Sequence, residues 1–140
     1  MNEQQPKKKL SVVISQINTQ QIVAEAHGQK ITLSIVGDDP KAGLTAPETI
    51  LTALGTCIVS NIKKGARERG LQIDDIAIAV TAEKRIDPLG LNDVQYVITL
   101  RSSESKEKLY ALYERATTNG TATNALLEGI KPQSKLKIQS

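Results

Sequence analysis

Between Gly43 and Gly70 the sequence carries one helix so clearly marked that the rest of the chain must fold around it. Thr45-Ala46-Pro47-Glu48 has the form of a capping box, with Thr at the cap and Glu three residues on. Pro47 suits a first helical turn, where its missing N–H is no loss. Ile50, Leu51, Leu54, Cys57, Ile58 and Ile62 then recur at spacings of three and four, which makes a broad apolar face. Lys63, Lys64, Arg67 and Arg69 give a basic, solvated end that complements the helix dipole, and Gly70 is the stop.

Strands flank this helix in runs. Leu10 to Gln16, Gln21 to Ala26 and Lys30 to Val36 are short β-branched or alternating segments with hairpin-length gaps, and His27-Gly28 supplies one turn. They predict an antiparallel meander. After the helix, Ile76, Ile78 and Val80 alternate with small residues, and Val94, Tyr96, Ile98 and Leu100 alternate with polar ones. Asp87-Pro88-Leu89-Gly90 is the turn between these two strands. Ser105 to Thr117 is a second amphipathic helix, Thr121 to Glu128 a short third one, and Lys135 to Ile138 a closing strand. The order βββ-α-ββ-α-(α)-β, with strands in runs, predicts an α+β fold with largely antiparallel sheets.

A chain of 140 residues fits one domain, assigned here to residues 10–140 behind a polar, flexible tail of residues 1–9. At that size roughly 68–70% of the unfolded surface is buried, enough for a core without disulfides or metals. There is no Trp and no Phe, and only 3 Tyr, so Ile, Leu, Val and Ala must build that core. So few aromatic platforms argue against base stacking on nucleic acid. The net charge of +3 is mild, and Lys7, Lys8 and Lys9 read as a solvated tail. The single cysteine excludes an internal disulfide framework and fits a reducing, cytoplasmic setting. The N-terminus has no apolar run with a cleavage site. The apolar stretch Ile50 to Ile62 is interrupted by Thr52, Thr56 and Ser60 and falls short of the ~20 residues that span a bilayer.

Cys57 is the one strong nucleophile. Its chemistry needs the thiolate, hence a lowered pKa. One turn away lie Ala53, Leu54, Ser60 and Asn61, none of them cationic, and Cys57 is too deep in its helix to feel that helix's own N-terminus. Activation must come from another segment or another subunit; otherwise Cys57 is a small buried hydrophobe. Glu48 completes the capping box, and nine residues at about 100° each put it opposite Cys57 on an ideal helix. His27 reads as an exposed turn residue rather than the base of a Cys–His pair. One His and one Cys cannot form a four-ligand zinc site within one chain, and no phosphate-binding glycine loop is present, so neither metal nor cofactor is expected.

The stretch Ala46-Pro47-Glu48-Thr49-Ile50-Leu51-Thr52-Ala53-Leu54-Gly55-Thr56-Cys57 resembles the central-helix signature of the OsmC/Ohr family. Gly70-Leu71-Gln72-Ile73, the strand Ile76 to Lys84 and the element order continue the likeness. Gly120-Thr121-Ala122-Thr123-Asn124-Ala125-Leu126 resembles the family's second-cysteine motif, Cys-Pro-x-Ser-Asn-x-Leu. The resemblance implies antiparallel sheets wrapped around long central helices in an intertwined homodimer, with active sites at the subunit interface. It also implies reduction of organic hydroperoxides by two cysteines, with an Arg, held by the Glu, stabilising the attacking thiolate. On that likeness Cys57 is the attacking thiol and Glu48 the holder of a polar partner.

Two positions depart from the family pattern. Gly120 stands where the resolving cysteine would be, and no Arg precedes Arg67; Lys30 lies in the appropriate region but lacks the bidentate fork of Arg. A two-cysteine cycle within one chain is therefore excluded, and a sulfenic acid on Cys57 needs an external thiol. The expected function is one-cysteine, thiol-dependent reduction of organic or hydrogen peroxides in oxidative stress defence. The competing reading is a non-enzymatic dimer of the same fold that binds a small apolar or thiol-reactive ligand beside Cys57.

Overall fold

The computed structural model describes residues 8–37, 39 and 41–139. The expected tail therefore lies outside the described residues up to Lys7; residues 8 and 9 are exposed and without regular structure. The chain forms two compact units, one ending at Ile50 and the other beginning at Leu51.

The first unit is a three-stranded antiparallel meander, β1 (Val13–Gln16), β2 (Gln21–Ala26) and β3 (Gln29–Ser34), followed by the start of α1 (Ala46–Arg69). His27 and Gly28 join β2 to β3 with φ of 39° and 84°. Positive φ at both central residues is the primed hairpin turn whose twist matches its strands. The register explains why two strands are shorter than their apolar patterns. Val13 pairs with Glu25, so the next ladder position beyond it would fall at Ala26, where β2 turns away. At the other end Ser34 pairs with Gln21, the first residue of β2. Leu33 bridges to Leu44, and there the backbone passes so close that a Cβ on Gly43 would sit 3.1 Å from the carbonyl oxygen of Thr32.

The second unit holds the hydrophobic core. Helix α1 contributes Leu54, Ile58, Ile62 and Ala66, and α2 (Lys106–Thr118) contributes Leu112 and Ala116. The hairpin of β4 (Asp75–Ile86) and β5 (Leu89–Arg101) lays its alternating row against them, in the cross-strand pairs Ile76–Leu100, Ile78–Ile98 and Val80–Tyr96. Ile58, Ile62 and Leu112 are completely enclosed, each worth about 1.5–3 kcal/mol of apolar transfer. Val94 does not share the inward face of Tyr96, Ile98 and Leu100. The register shifts between Thr81 and Glu83, Asp93 takes φ 52°, and Val94 is exposed.

Two glycines let elements approach α1 closely. A Cβ on Gly55 would lie 3.3 Å from methyls of Ile78 and Val80, and one on Gly65 would lie 2.7 Å from Cδ1 of Leu112. Helix α2 starts from Ser105, whose hydroxyl accepts from the Lys108 amide at 3.3 Å, and α3 (Thr121–Glu128) follows after a two-residue link.

The closing strand expected over Lys135 to Ile138 does not form. That segment has no regular structure, and Leu136 and Ile138 are 84% and 85% exposed. An alternating sequence becomes a strand only where a neighbouring strand takes its backbone hydrogen bonds, and none of the described strands pairs with it.

Candidate functional site

The packing of α1 decides where Cys57 points. Leu54, Ile58 and Ile62 define the face buried in the core, and Cys57 stands beside that face, half-buried and with a free thiol. Its sulfur is turned toward the start of α3. Asn61, one turn further along α1, and Thr123, in the first turn of α3, each bring a polar atom to 3.9 Å from Sγ.

The start of α3 is built in a way that exposes its amides. The cap residue is Gly120, with extended backbone and no side chain to accept from the first-turn N–H groups. The first four amides of a helix have no partner within it. Here those of Thr121, Ala122 and Thr123 lie near enough to the Cys57 sulfur to favour its thiolate. The lack of a Cβ at Gly120 makes this approach feasible: a Cβ there would lie 2.7 Å from Sγ and 2.5 Å from Nδ2 of Asn61. Asn61 pins the link between α2 and α3 by donating to the carbonyls of Asn119 at 2.8 Å and Ala116 at 3.4 Å.

Burial pushes the Cys57 thiol up, but the amides of Thr123, Ala122 and Thr121 and the Thr123 hydroxyl outweigh it, and the pKa lies below its ordinary value. A thiolate at a helix N-terminus is favoured both by the dipole and by direct N–H donation. What lowers the thiol's pKa comes from another segment, and it is backbone amides and a hydroxyl rather than a charged side chain. Sequence reasoning did not single out Asn61, Thr123 or these amides. The available signal was Gly120 itself, a cap position with no acceptor of its own.

Glu48 is exposed in the first turn of α1 and completes the capping box in full. Its carboxylate accepts from the Thr45 amide at 2.9 Å and the Thr45 hydroxyl at 3.0 Å, while its own amide donates to the Thr45 hydroxyl at 3.3 Å. The Thr45 amide and hydroxyl hold the Glu48 carboxyl below the usual carboxylate range. His27 is exposed at its hairpin turn, as the sequence predicts.

Two clefts open in the second unit. One, of about 370 Å³, is lined by Tyr96, Ile98 and Leu100 of β5 and Leu109, Tyr110 and Tyr113 of α2. The other, of about 290 Å³, lies between α1 and α2 and is bordered by Asn61, Lys64, Arg69 and Arg115. Among the described residues no three His, Cys, Asp or Glu gather to hold a metal ion, and no helix is long and apolar enough to cross a membrane.

An α+β fold with a half-buried thiol at the head of a short helix defines a class of thiol-bearing proteins. The profile of the OsmC-like protein family matches residues 37–135, and the chain belongs to that family. No protein of curated function matches the sequence. Among solved structures, the fold is similar to an OsmC-like protein from Mycoplasma pneumoniae, with a TM-score of 0.78 at 17% identity over 87% of this chain and 89% of that one. It is also similar to an OsmC-like protein of unknown function from Vibrio cholerae, with a TM-score of 0.66 at 16% identity over 85% and 94% of the two chains. A third similar structure is the organic hydroperoxide resistance protein OhrB of Bacillus subtilis, with a TM-score of 0.58 at 17% identity over 84% and 90%. At these identities the likeness concerns the fold.

Proposed function

We propose that the chain is a one-cysteine thiol peroxidase acting on organic or hydrogen peroxides in oxidative stress defence. The Cys57 thiolate attacks the distal peroxide oxygen, the O–O bond breaks, and the alcohol or water leaves with a proton. Cys57 is then a sulfenic acid. An external thiol condenses with it, releasing water and forming a mixed disulfide, and a second thiol returns Cys57 to its reduced form. The observation that carries this reading is the nearness of the α3 amides to the sulfur, which lowers its pKa against the effect of burial. Family membership and the fold shared with OhrB of Bacillus subtilis support it.

Gly120 bears no thiol, so the reductive half of the cycle falls to a small molecule, in keeping with a reducing, cytoplasmic compartment. The chain acts as a homodimer in this reading, and Glu48 orients a polar partner. Apolar side chains left exposed, such as Ile14 and Ile31 in the first unit and Val97 and Tyr110 in the second, are the kind of surface a second chain covers. The competing reading is a non-enzymatic dimer that binds a small apolar or thiol-reactive ligand beside Cys57, and the 370 Å³ cleft does not favour it, because Cys57 does not line that cleft.

The test is consumption of cumene hydroperoxide and of hydrogen peroxide, with dithiothreitol as reductant, by the wild type and Cys57→Ser. Turnover by the wild type that disappears in the variant is the expected result. Equal consumption by both, or none by either, rejects the peroxidase reading.

A further inference from the structure

We propose that the cleft between the second half of α1 and α2 binds the carboxylates of an anionic low-molecular-weight thiol, the co-substrate that resolves oxidised Cys57. This rests on the peroxidase reading above and specifies its second substrate. The cleft measures about 290 Å³, and its rim carries Lys64, Arg69 and Arg115 against the single carboxylate of Glu68. Among the described residues, neither Lys64 nor Arg115 is engaged by a carboxylate of the protein. Two unpaired cations at the edge of one cleft raise the local concentration of anions.

The cleft is tied to the thiol by Asn61, which lines it and also directs its amide toward Sγ. Cys57, Asn61, Lys64 and Glu68 follow one another at spacings of four, three and four, so they form a single stripe along α1. At 1.5 Å of rise per residue, Lys64 stands about 10 Å along the helix from Cys57. That is the scale of a peptide-sized thiol with its sulfur at Cys57 and a carboxylate among the cations. A peroxide needs no such anchor, because its reacting end is compact and is consumed at the sulfur. The resolving thiol does need one, because the chain supplies none at Gly120. The steps balance without a further reagent. Sulfenic acid and thiol give a mixed disulfide and water, and a second thiol releases the small disulfide and the Cys57 thiol.

The probes are glutathione and its diethyl ester, which differ in two carboxylate charges while keeping the same thiol. Cys57 is first oxidised with one equivalent of cumene hydroperoxide, and the sulfenic acid is verified by mass after trapping. The oxidised protein is then mixed rapidly with either probe, and mixed-disulfide formation is followed. Glutathione is expected to react faster than the ester. The ratio should fall by roughly fivefold in Lys64→Gln and in Arg115→Gln, the upper end of what one exposed ion pair contributes. It should also shrink in 0.5 M salt, where charges are screened within a few ångströms. Lys84→Gln, on the exposed side of β4, should keep the wild-type ratio. A wild-type ratio near one, or a ratio unmoved in both cleft variants, overturns the proposal. Failure of the first step to yield any sulfenic acid removes the peroxidase reading itself and the inference with it.

Discussion

Replacing Gly120 by cysteine tests directly whether the sulfur sits where the fold places it. An ideal Cβ at position 120 lies 2.7 Å from Sγ of Cys57. In a disulfide with an S–S bond of about 2.04 Å, each Cβ lies about 3.0 Å from the opposite sulfur. A shift of a few tenths of an ångström therefore suffices to close a bond. The amide of Asn61, 2.5 Å from the same point, must rotate aside and lose its bond to the Asn119 carbonyl, an effect of about 1 kcal/mol. The crosslink joins positions 57 and 120, a loop of about 64 residues, for which chain entropy gives roughly 4 kcal/mol. The net gain is then about 2–3 kcal/mol, which for a domain of this size raises Tm by roughly 6–12 °C. The assay is thermal unfolding of Gly120→Cys with and without dithiothreitol, after treatment with one equivalent of hydroperoxide. Loss of two hydrogen atoms by mass and resistance to iodoacetamide report the bond. If both thiols still alkylate after oxidation and the two melting curves coincide, the sulfur does not face position 120, and the account of the site is refuted.

Four further outcomes follow from the same structure. Thr123→Val removes a hydroxyl that favours the thiolate, so the pH midpoint of Cys57 alkylation should move upward, read from iodoacetamide rates across pH. Because the folded pKa of Cys57 is depressed, its ionisation adds stability as pH rises from the folded pKa to the unfolded one. The full contribution is present above the unfolded value and is lost as pH falls through the folded one. The stability difference between the wild type and Cys57→Ser in urea should therefore grow with pH over that window and be flat below it. Glu48 follows the same sign in acid: its folded pKa is depressed, so Glu48→Gln should be less stable than the wild type at neutral pH and should converge with it as the carboxylate protonates. Gly65→Ala gains about 1 kcal/mol of helix propensity but forces a methyl to 2.7 Å from the enclosed Leu112. Overpacking of about 1–3 kcal/mol should offset or exceed that gain, giving a net loss of up to about 2 kcal/mol in urea unfolding.

Much of the architecture was written locally. The capping box at Thr45 and Glu48 forms as its spacing requires, because every donor and acceptor in it lies within four residues. The alternation of Ile76, Ile78 and Val80 faces the core because side chains on a strand project to opposite sides in turn. His27-Gly28 makes its turn because the two residues accept positive φ. The pattern at Lys135 to Ile138 misled because a strand depends on a neighbour that the segment itself does not contain. Strand lengths at β1 and β3 were likewise set by the partner's register.

The sequence by itself determined that one thiol stands on a long amphipathic helix and that no side chain within a turn of it along α1 carries a positive charge. Only the tertiary structure decided what that thiol meets. Residues 121–123 are more than sixty positions from Cys57, and their contribution comes from main-chain N–H groups that every residue but proline carries. Composition cannot distinguish an amide spent within a helix from one left free at its start. The packing of α2 and α3 against α1 makes that distinction, because it brings three free amides and the bare Cα of Gly120 against a single sulfur.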